Sequence, residues 1–231
     1  MRYLVAVFWP GFADLGLQFL LLGKVRQMGH KFAELAFTDA VKNIQSEQGS
    51  RNAYARMEVG ADYNDSLGPN EAQFIAARDS FYMATVSDTG WPYVQHRGGP
   101  VGFVRVLDGK TLGFADFRGN RQYVSMGNLS QNDRVSLFFM DYSNKTRLKL
   151  LGRIHTIDPS DQDTLQKLSL DDRHRARTER GLRISVEAFD WNCPQYITPR
   201  FTRAEADLEL SSVQAKILEL EAKLRAKNAQ N

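Results

Sequence analysis

A single cysteine, Cys193, leaves the chain without any internal disulfide, which excludes the stapled scaffolds of small secreted proteins and fits a reducing compartment. No sequence neighbour would depress its pKa, so it is a poor nucleophile as well. Histidine is scarce: His30, His96, His155 and His174 stand in unrelated contexts with no carboxylate or cysteine at ligand spacing, so no metal centre is expected. Charge of one sign is also lacking. The formal net charge is +3, so composition demands no polyanionic partner, although a pI near 9.0 leaves room for local basic patches. The most apolar stretch, YLVAVFWPGFADLGLQFLLLG at 3–23, is interrupted by Pro10, Gly11 and Asp14 before it reaches the roughly 18 apolar residues of a spanning helix. No small-residue cleavage site follows it, which argues against a signal peptide. We therefore expect a cytoplasmic protein with no membrane association. Residues 1–27 form an apolar extension, and Met28, before GHKFAELAFTDAVKNIQ, is an alternative start to Met1.

What is present is a chain of 231 residues, 42% hydrophobic, long enough for one substantial core with appendages. Residues 28–70 are read as an N-terminal helix and a long connection. The helix is expected over 32–44, where Phe32, Leu35, Phe37, Ala40, Val41 and Ile44 recur at near-helical spacing with Thr38 and Asp39 inside the pattern. Residues 45–70 are polar and turn-rich, and read as a surface connection. Asn70 is a candidate cap for a further short helix carrying Phe74, Ile75 and Ala77. Short β-branched and aromatic runs then follow at 81–86, 92–97, 103–107, 111–115, 134–140, 147–157 and 182–189. SDTG at 87–90 and LDGK at 107–110 read as hairpin connections, each with a glycine where a positive φ is wanted. Strands joined so tightly are antiparallel, and six or seven of them with one short helix among them are best closed as a small barrel over 71–201. Beyond Arg203, in a C-terminal segment of 202–231, Ala206, Leu210, Val213, Ile217, Leu220 and Leu224 follow a heptad seam flanked by charges. Self-association through a coiled coil is the favoured reading, with a helix packed on its own barrel as the alternative.

Three segments carry candidate chemistry. In FADFRGNRQ a strand delivers the chain to Asp116, Gly119 permits a left-handed bend, and Asn120 is placed to cap a helix starting at Arg121. Such a turn suits an anion, with Arg118 and Arg121 beside it, although a capped surface turn with two solvated arginines has the same letters. In PYVQHRGGP, Gln95, His96 and Arg97 end a strand and precede two glycines that would let a backbone approach a flat ligand. In FDWNCPQYITPRF, Trp191 and Tyr196 suit stacking on a ring and Arg200 suits an anion, while Trp191 as a packing anchor is the common alternative.

Taken in order, FYMATVSDTGWPYVQHRGG, VLDGKTLGFADFRGNRQYVSMGNLSQNDRVSLFF and RLKLLGRIHTID resemble the FMN-binding split barrel of the pyridoxamine 5′-phosphate oxidase-like proteins. PYVQHRGGP, FADFRGNRQ and NCPQYI are similar to the predicted flavin-nucleotide-binding branch of that group, over about Glu71 to Arg200. The resemblance implies a mainly β fold with flanking helices, an antiparallel six- to seven-stranded split β-barrel, and FMN at the interface of a homodimer. By motif it implies that Asn120, Arg121 and Gln122 meet the phosphate, with Asp116 in the same set, and that Gln95, His96 and Arg97 line the ribityl chain and pyrimidine edge. It also implies Trp191 and Arg200 near the flavin. The closing segment NCPQYITPRF does not reproduce the Arg and His pattern of the true oxidase, and the loop at 98–103 is longer, so vitamin B6 oxidation is not assigned.

The function expected is flavin-dependent oxidoreduction by hydride transfer at N5, with NAD(P)H or a small redox substrate as partner. Storage or sensing of a flavin nucleotide is the binding-class alternative, and related split barrels hold a deazaflavin or haem instead. The basic run DDRHRARTERGLR (171–183) is read as a solvated loop rather than a nucleic-acid contact, because acids are mixed through it and no aromatics interleave.

Overall fold

A computed structural model describes residues 30–60, 63–168, 177–191 and 194–228. The apolar extension at 1–27, Cys193, His174 and the first part of the basic run (171–176) lie outside the described residues. The chain groups into two compact units that divide between Tyr63 and Asn64.

In the first unit the expected single helix is two, α1 (Lys31–Ala36) and α2 (Asp39–Glu47). Thr38 causes the break. It takes an extended conformation and its hydroxyl accepts the Val41 N–H at 3.4 Å, so the residue read as part of the periodic pattern is an N-cap. The connection expected after residue 45 also holds structure: α3 (Arg51–Ala55) and a 3₁₀ turn (Met57–Val59). Glu58 draws them together through Arg51 at 2.6 Å and Lys42 at 3.4 Å.

The second unit begins with α4 (Pro69–Ala76), capped two residues earlier than expected. Gly68, not Asn70, is the N-cap; its N–H donates to the Glu71 carboxylate at 2.8 Å, with Pro69 at the first helical position. Seven antiparallel strands follow: β1 (Ser80–Val86), β2 (Pro92–Gly98), β3 (Val104–Asp108), β4 (Thr111–Phe117), β5 (Arg134–Asp141), β6 (Thr146–Thr156) and β7 (Thr178–Trp191). Among the described residues two short helices lie between them where one was expected, α5 (Val124–Leu129) and α6 (Gln162–Lys167), the second capped by the Asp161 carboxylate on the Thr164 N–H. The strands form one sheet in the order β2-β1-β5-β6-β7-β4-β3. Its two end strands, β2 and β3, are not hydrogen-bonded to each other, so the barrel is split there.

Strict alternation fills its interior. Phe81, Met83 and Thr85 of β1, Val135, Leu137 and Phe139 of β5, and Leu148, Leu150 and Ile154 of β6 point inward. Four rings meet in this core: Phe81 lies 5.9 Å from Phe103, 5.3 Å from Phe114 and 5.1 Å from Phe139, centroid to centroid. Of the two hairpin glycines, Gly90 has the expected positive φ of 88°. Gly109 does not; a Cβ there would stand 2.7 Å from the Ser66 hydroxyl, so the requirement is close approach of the chain at 66–67, whose Leu67 N–H bonds to the Gly109 carbonyl.

Asp141 ends β5 as a buried carboxylate. Burial pushes its pKa up, but hydrogen bonds from Asn144 and Ser143 and the Arg78 guanidinium at 2.9 Å outweigh this and hold it below the usual range. A depressed folded pKa contributes stability that is present above the unfolded value and lost as pH falls through the folded one. Asp141→Asn is therefore expected to lose about 1–3 kcal/mol at pH 7, with the gap to wild type closing below about pH 4. Denaturant midpoints measured across that range check it.

The last element, α7 (Arg203–Asn228), has no buried residue. The alternative of a helix packed on its own barrel is not adopted. Among the described residues, no helix is long and apolar enough to cross a membrane.

Candidate functional site

The turn between β4 and α5 is held from both sides. Buried Ser125 and Asn128 on α5 donate to Gln95 of β2 at 2.8 Å and Thr85 of β1 at 2.9 Å, so the helix is fixed over the β1–β2 hairpin. At the other side the Arg118 N–H bonds to the Arg177 carbonyl, just before β7. Between these anchors the backbone departs from the expected course. Gly119 is not left-handed; Arg121 (φ 62°) and Tyr123 (φ 54°) are. Asn120 does not cap a helix at Arg121. Its side-chain oxygen accepts the Gln122 N–H at 3.1 Å in a local turn, and α5 starts at Val124 after Tyr123. Positive φ at two bulky residues costs energy that other contacts must offset. Here the Arg121 Nε donates to the Tyr123 phenol at 3.4 Å, and that phenol donates to Glu179 of β7 at 3.1 Å.

An open concavity of about 430 Å³, part of it continuous with solvent, lies above this turn. Six of the nine residues expected at the site line it: Gln95, Arg97, Asp116, Asn120, Arg121 and Gln122. The period of two along β2 brings Gln95 and Arg97 to this face and sends the exposed His96 to the other, where its ring meets Tyr82 edge-on at 5.6 Å. His96 instead borders a neighbouring cleft that shares Gln95, Arg97 and Gly119. Trp191 and Arg200 are elsewhere. Trp191 is 11 residues along β7 from Arg180, roughly 36 Å of strand, where its indole donates to Glu71 at 2.9 Å and packs edge-on against Phe74 at 4.8 Å. Arg200 lies over the Tyr142 ring at 5.0 Å. Tyr196, expected to stack, is fully exposed. Of the two glycines, Gly99 is packed rather than open, because a Cβ there would strike the Phe103 ring at 2.6 Å.

At the floor of the concavity Asp116 is 5% exposed and carries two cations. Arg97 donates to one of its oxygens and Arg180 stands 3.5 Å from the other. Glu179 is similarly flanked by Arg180 at 3.0 Å and Arg118 at 3.8 Å. Among the described residues, four arginines (97, 118, 121 and 180) thus stand against two carboxylates around the turn. The Tyr123 bond holds the Arg121 guanidinium above its already high range, so it stays charged. Among the described residues the buried Arg97 Nε has no hydrogen-bond partner.

Tyr123, Glu179 and Arg180 are site residues that local sequence patterns did not single out. The last two belong to the run read as a solvated loop; its described part is the first half of β7, which begins at Thr178 rather than at residue 182. The signal was in the alternation after Thr178, which pairs Arg180 directly opposite Asp116. Among the described residues no cluster of His, Cys, Asp or Glu is arranged to hold a metal.

Comparison with known proteins bears on this arrangement. Among solved structures the chain resembles HupZ of Group A Streptococcus (15% identity, TM-score 0.44, covering 58% of this chain and 100% of that one). It also resembles an FMN-binding protein from Syntrophomonas wolfei (11%, TM-score 0.41, 67% and 96%) and a FAD-binding protein from Mesorhizobium loti (16%, TM-score 0.39, 55% and 94%). No curated protein matches the chain. The family model described as pyridoxamine 5′-phosphate oxidase matches residues 67–190, just over half of the sequence and nearly all of the seven-stranded sheet. The chain therefore belongs to the pyridoxamine 5′-phosphate oxidase family.

Proposed function

We propose that the protein binds a flavin nucleotide, FMN, with its phosphate at the 118–123 turn, and acts as a flavin-dependent oxidoreductase. The observation that carries this reading is the buried Arg97 donor, unpaired among the described residues, in a concavity that Arg121 also lines, with Arg118 and Arg180 paired to its two carboxylates. This donor set fits a phosphate monoester and its neighbouring hydroxyls: guanidinium forks for the anion, and the Gln95 and Asn120 amides for neutral oxygens. Family membership supports the same ligand class.

In this reading Arg121 and Arg118 bind the dianion at the solvent edge, Arg97 orients the chain below it, and Asp116 keeps Arg97 fixed. When bound, a flavin supplies two-electron redox chemistry that no side chain here provides. The concavity is shallow, and Trp191 and Arg200 lie far from it on the same chain. We propose that a second copy covers the ring, placing its own Trp191 and Arg200 there.

Charge-assisted bonds of the Arg121 kind contribute about 1.5–3 kcal/mol, so Arg121→Ala is expected to weaken FMN binding roughly 10- to 100-fold. Quenching of FMN fluorescence on titration with protein measures it. A wild-type protein that fails to quench FMN, or a variant with unchanged affinity, overturns the assignment. Reduction of the bound flavin by NADH or NADPH, followed by reoxidation at a catalytic rate by a small substrate, separates oxidoreduction from storage or sensing.

A further inference from the structure

The concavity leaves one large surface unexplained. Along α7, Leu210, Val213, Ile217, Leu220 and Leu224 form a single line, each between 49% and 60% exposed. With Ala206 they are spaced 4, 3, 4, 3 and 4, which sets Leu210, Ile217 and Leu224 at heptad position a and Ala206, Val213 and Leu220 at position d. Leu208 and Leu218 are exposed too but fall outside this seam. Five large aliphatic side chains in one narrow line are not left to water without reason.

The base of the helix is fixed. Thr202 accepts the Glu205 N–H at 3.2 Å and its own N–H and hydroxyl bond to the Glu205 carboxylate. The Ser143 hydroxyl, from the turn between β5 and β6, lies 2.9 Å from the same carboxylate and shares its one proton between Glu205 and Asp141. Beyond this root the helix has no buried residue.

We infer that α7 pairs with α7 of a second copy as a parallel, in-register two-stranded coiled coil. Charge on the flanks selects the partner and the direction. In a parallel pair each g position faces the e position five residues further along the other helix. Lys216 then meets Glu221 of the second copy, twice by symmetry, while Glu209 meets Gln214 and Lys223 meets Asn228; no like charges oppose. The antiparallel pairing with the same core layers gains Glu209 against Lys223 twice, but this is offset by Asp207 against Glu221 twice, and Lys216 is set against itself. Within one helix Lys216 bonds to Glu219 and Glu221 stands near Arg225, exposed pairs that exchange at little cost. A second copy supplies the complementary seam, always at equal concentration.

This inference is independent of the flavin reading. It is tested in the full chain with Cys193→Ser as background and one new cysteine at a time, under mild oxidation. Leu224→Cys places two thiols across the seam in a parallel pair, within disulfide reach, and is expected to give mostly reducible dimer. Leu218→Cys, on the outer face, is expected to give at least fivefold less. Adding Ile217→Lys to the Leu224→Cys protein is expected to abolish the dimer. Equal crosslinking at 218 and 224, none at either, or persistence with Ile217→Lys overturns the inference. So does preferential crosslinking between Ala206→Cys and Leu224→Cys proteins in a mixture, since only the antiparallel pair joins those positions. None of these results bears on FMN quenching, so the two readings fail separately.

Discussion

Asp116→Ala is expected to lower the melting temperature by roughly 6–20 °C. The carboxylate is buried, it accepts from Arg97, and the Arg97 side chain is 13% exposed. Taking two charges out of water is costly, and the pair persists because each compensates the other. Removing only the acid leaves Arg97 charged, buried and short of acceptors, a loss of about 3–5 kcal/mol. At about 2–4 °C per kcal/mol for a chain of this size, that gives the range stated. A paired replacement, Arg97→Met with Asp116→Leu, is expected to regain most of the loss, because apolar groups of similar volume need no compensation. Thermal melts of the three variants check both claims. A single variant within 2 °C of wild type, on the order of the ~0.5 kcal/mol scatter of surface substitutions, would show that water already solvates Arg97.

Phe81→Ala is expected to be as costly, for a different reason. The end strands β2 and β3 share no hydrogen bonds, so the ladder leaves the barrel open along that line. Rings do what the ladder does not. Phe81, on the strand next to β2, stacks on Phe103 at the entrance to β3, and both reach Phe114 of β4. Truncating Phe81 creates a cavity at the meeting point of four rings, at about 3–5 kcal/mol. The loss should also be local: amide exchange in β2 and β3 is expected to quicken more than in β6 and β7, which keep their full pairing. Uniform acceleration would mean that the cluster stabilises the whole barrel rather than its seam.

The strands were legible because their pattern is local. Alternation within β1, β5 and β6 is a property of neighbours two apart, and the seven runs lie within a few residues of the observed strands, except at the start of β7. The split barrel and the polar face of the candidate site follow from it. What was not legible depends on partners far along the chain. Arg121 and Tyr123 hold positive φ because Tyr123 bonds to Glu179, 56 residues on, and no local rule puts a tyrosine there. Glu179 and Arg180 sit in a charge-rich stretch that resembles solvent-exposed loop until β4 is laid beside it. His96 differs, since the same period of two that defines β2 already turns it away from Gln95 and Arg97. Thr38 shows local competition, because a residue that fits a helical period also makes a good cap.

The strand order also has a consequence for synthesis. β4 pairs with β3 on one side and with β7 on the other, and β7 begins 61 residues after Phe117 ends β4, at Thr178. As the nascent chain emerges, the β3–β4 hairpin therefore waits with one edge unpaired, carrying Asp116 without Arg180, until the last strand has left the ribosome. Ribosome-bound chains that stop short of β7 would expose that edge to other molecules. A late frameshift would then be more damaging to solubility than its small loss of sequence implies.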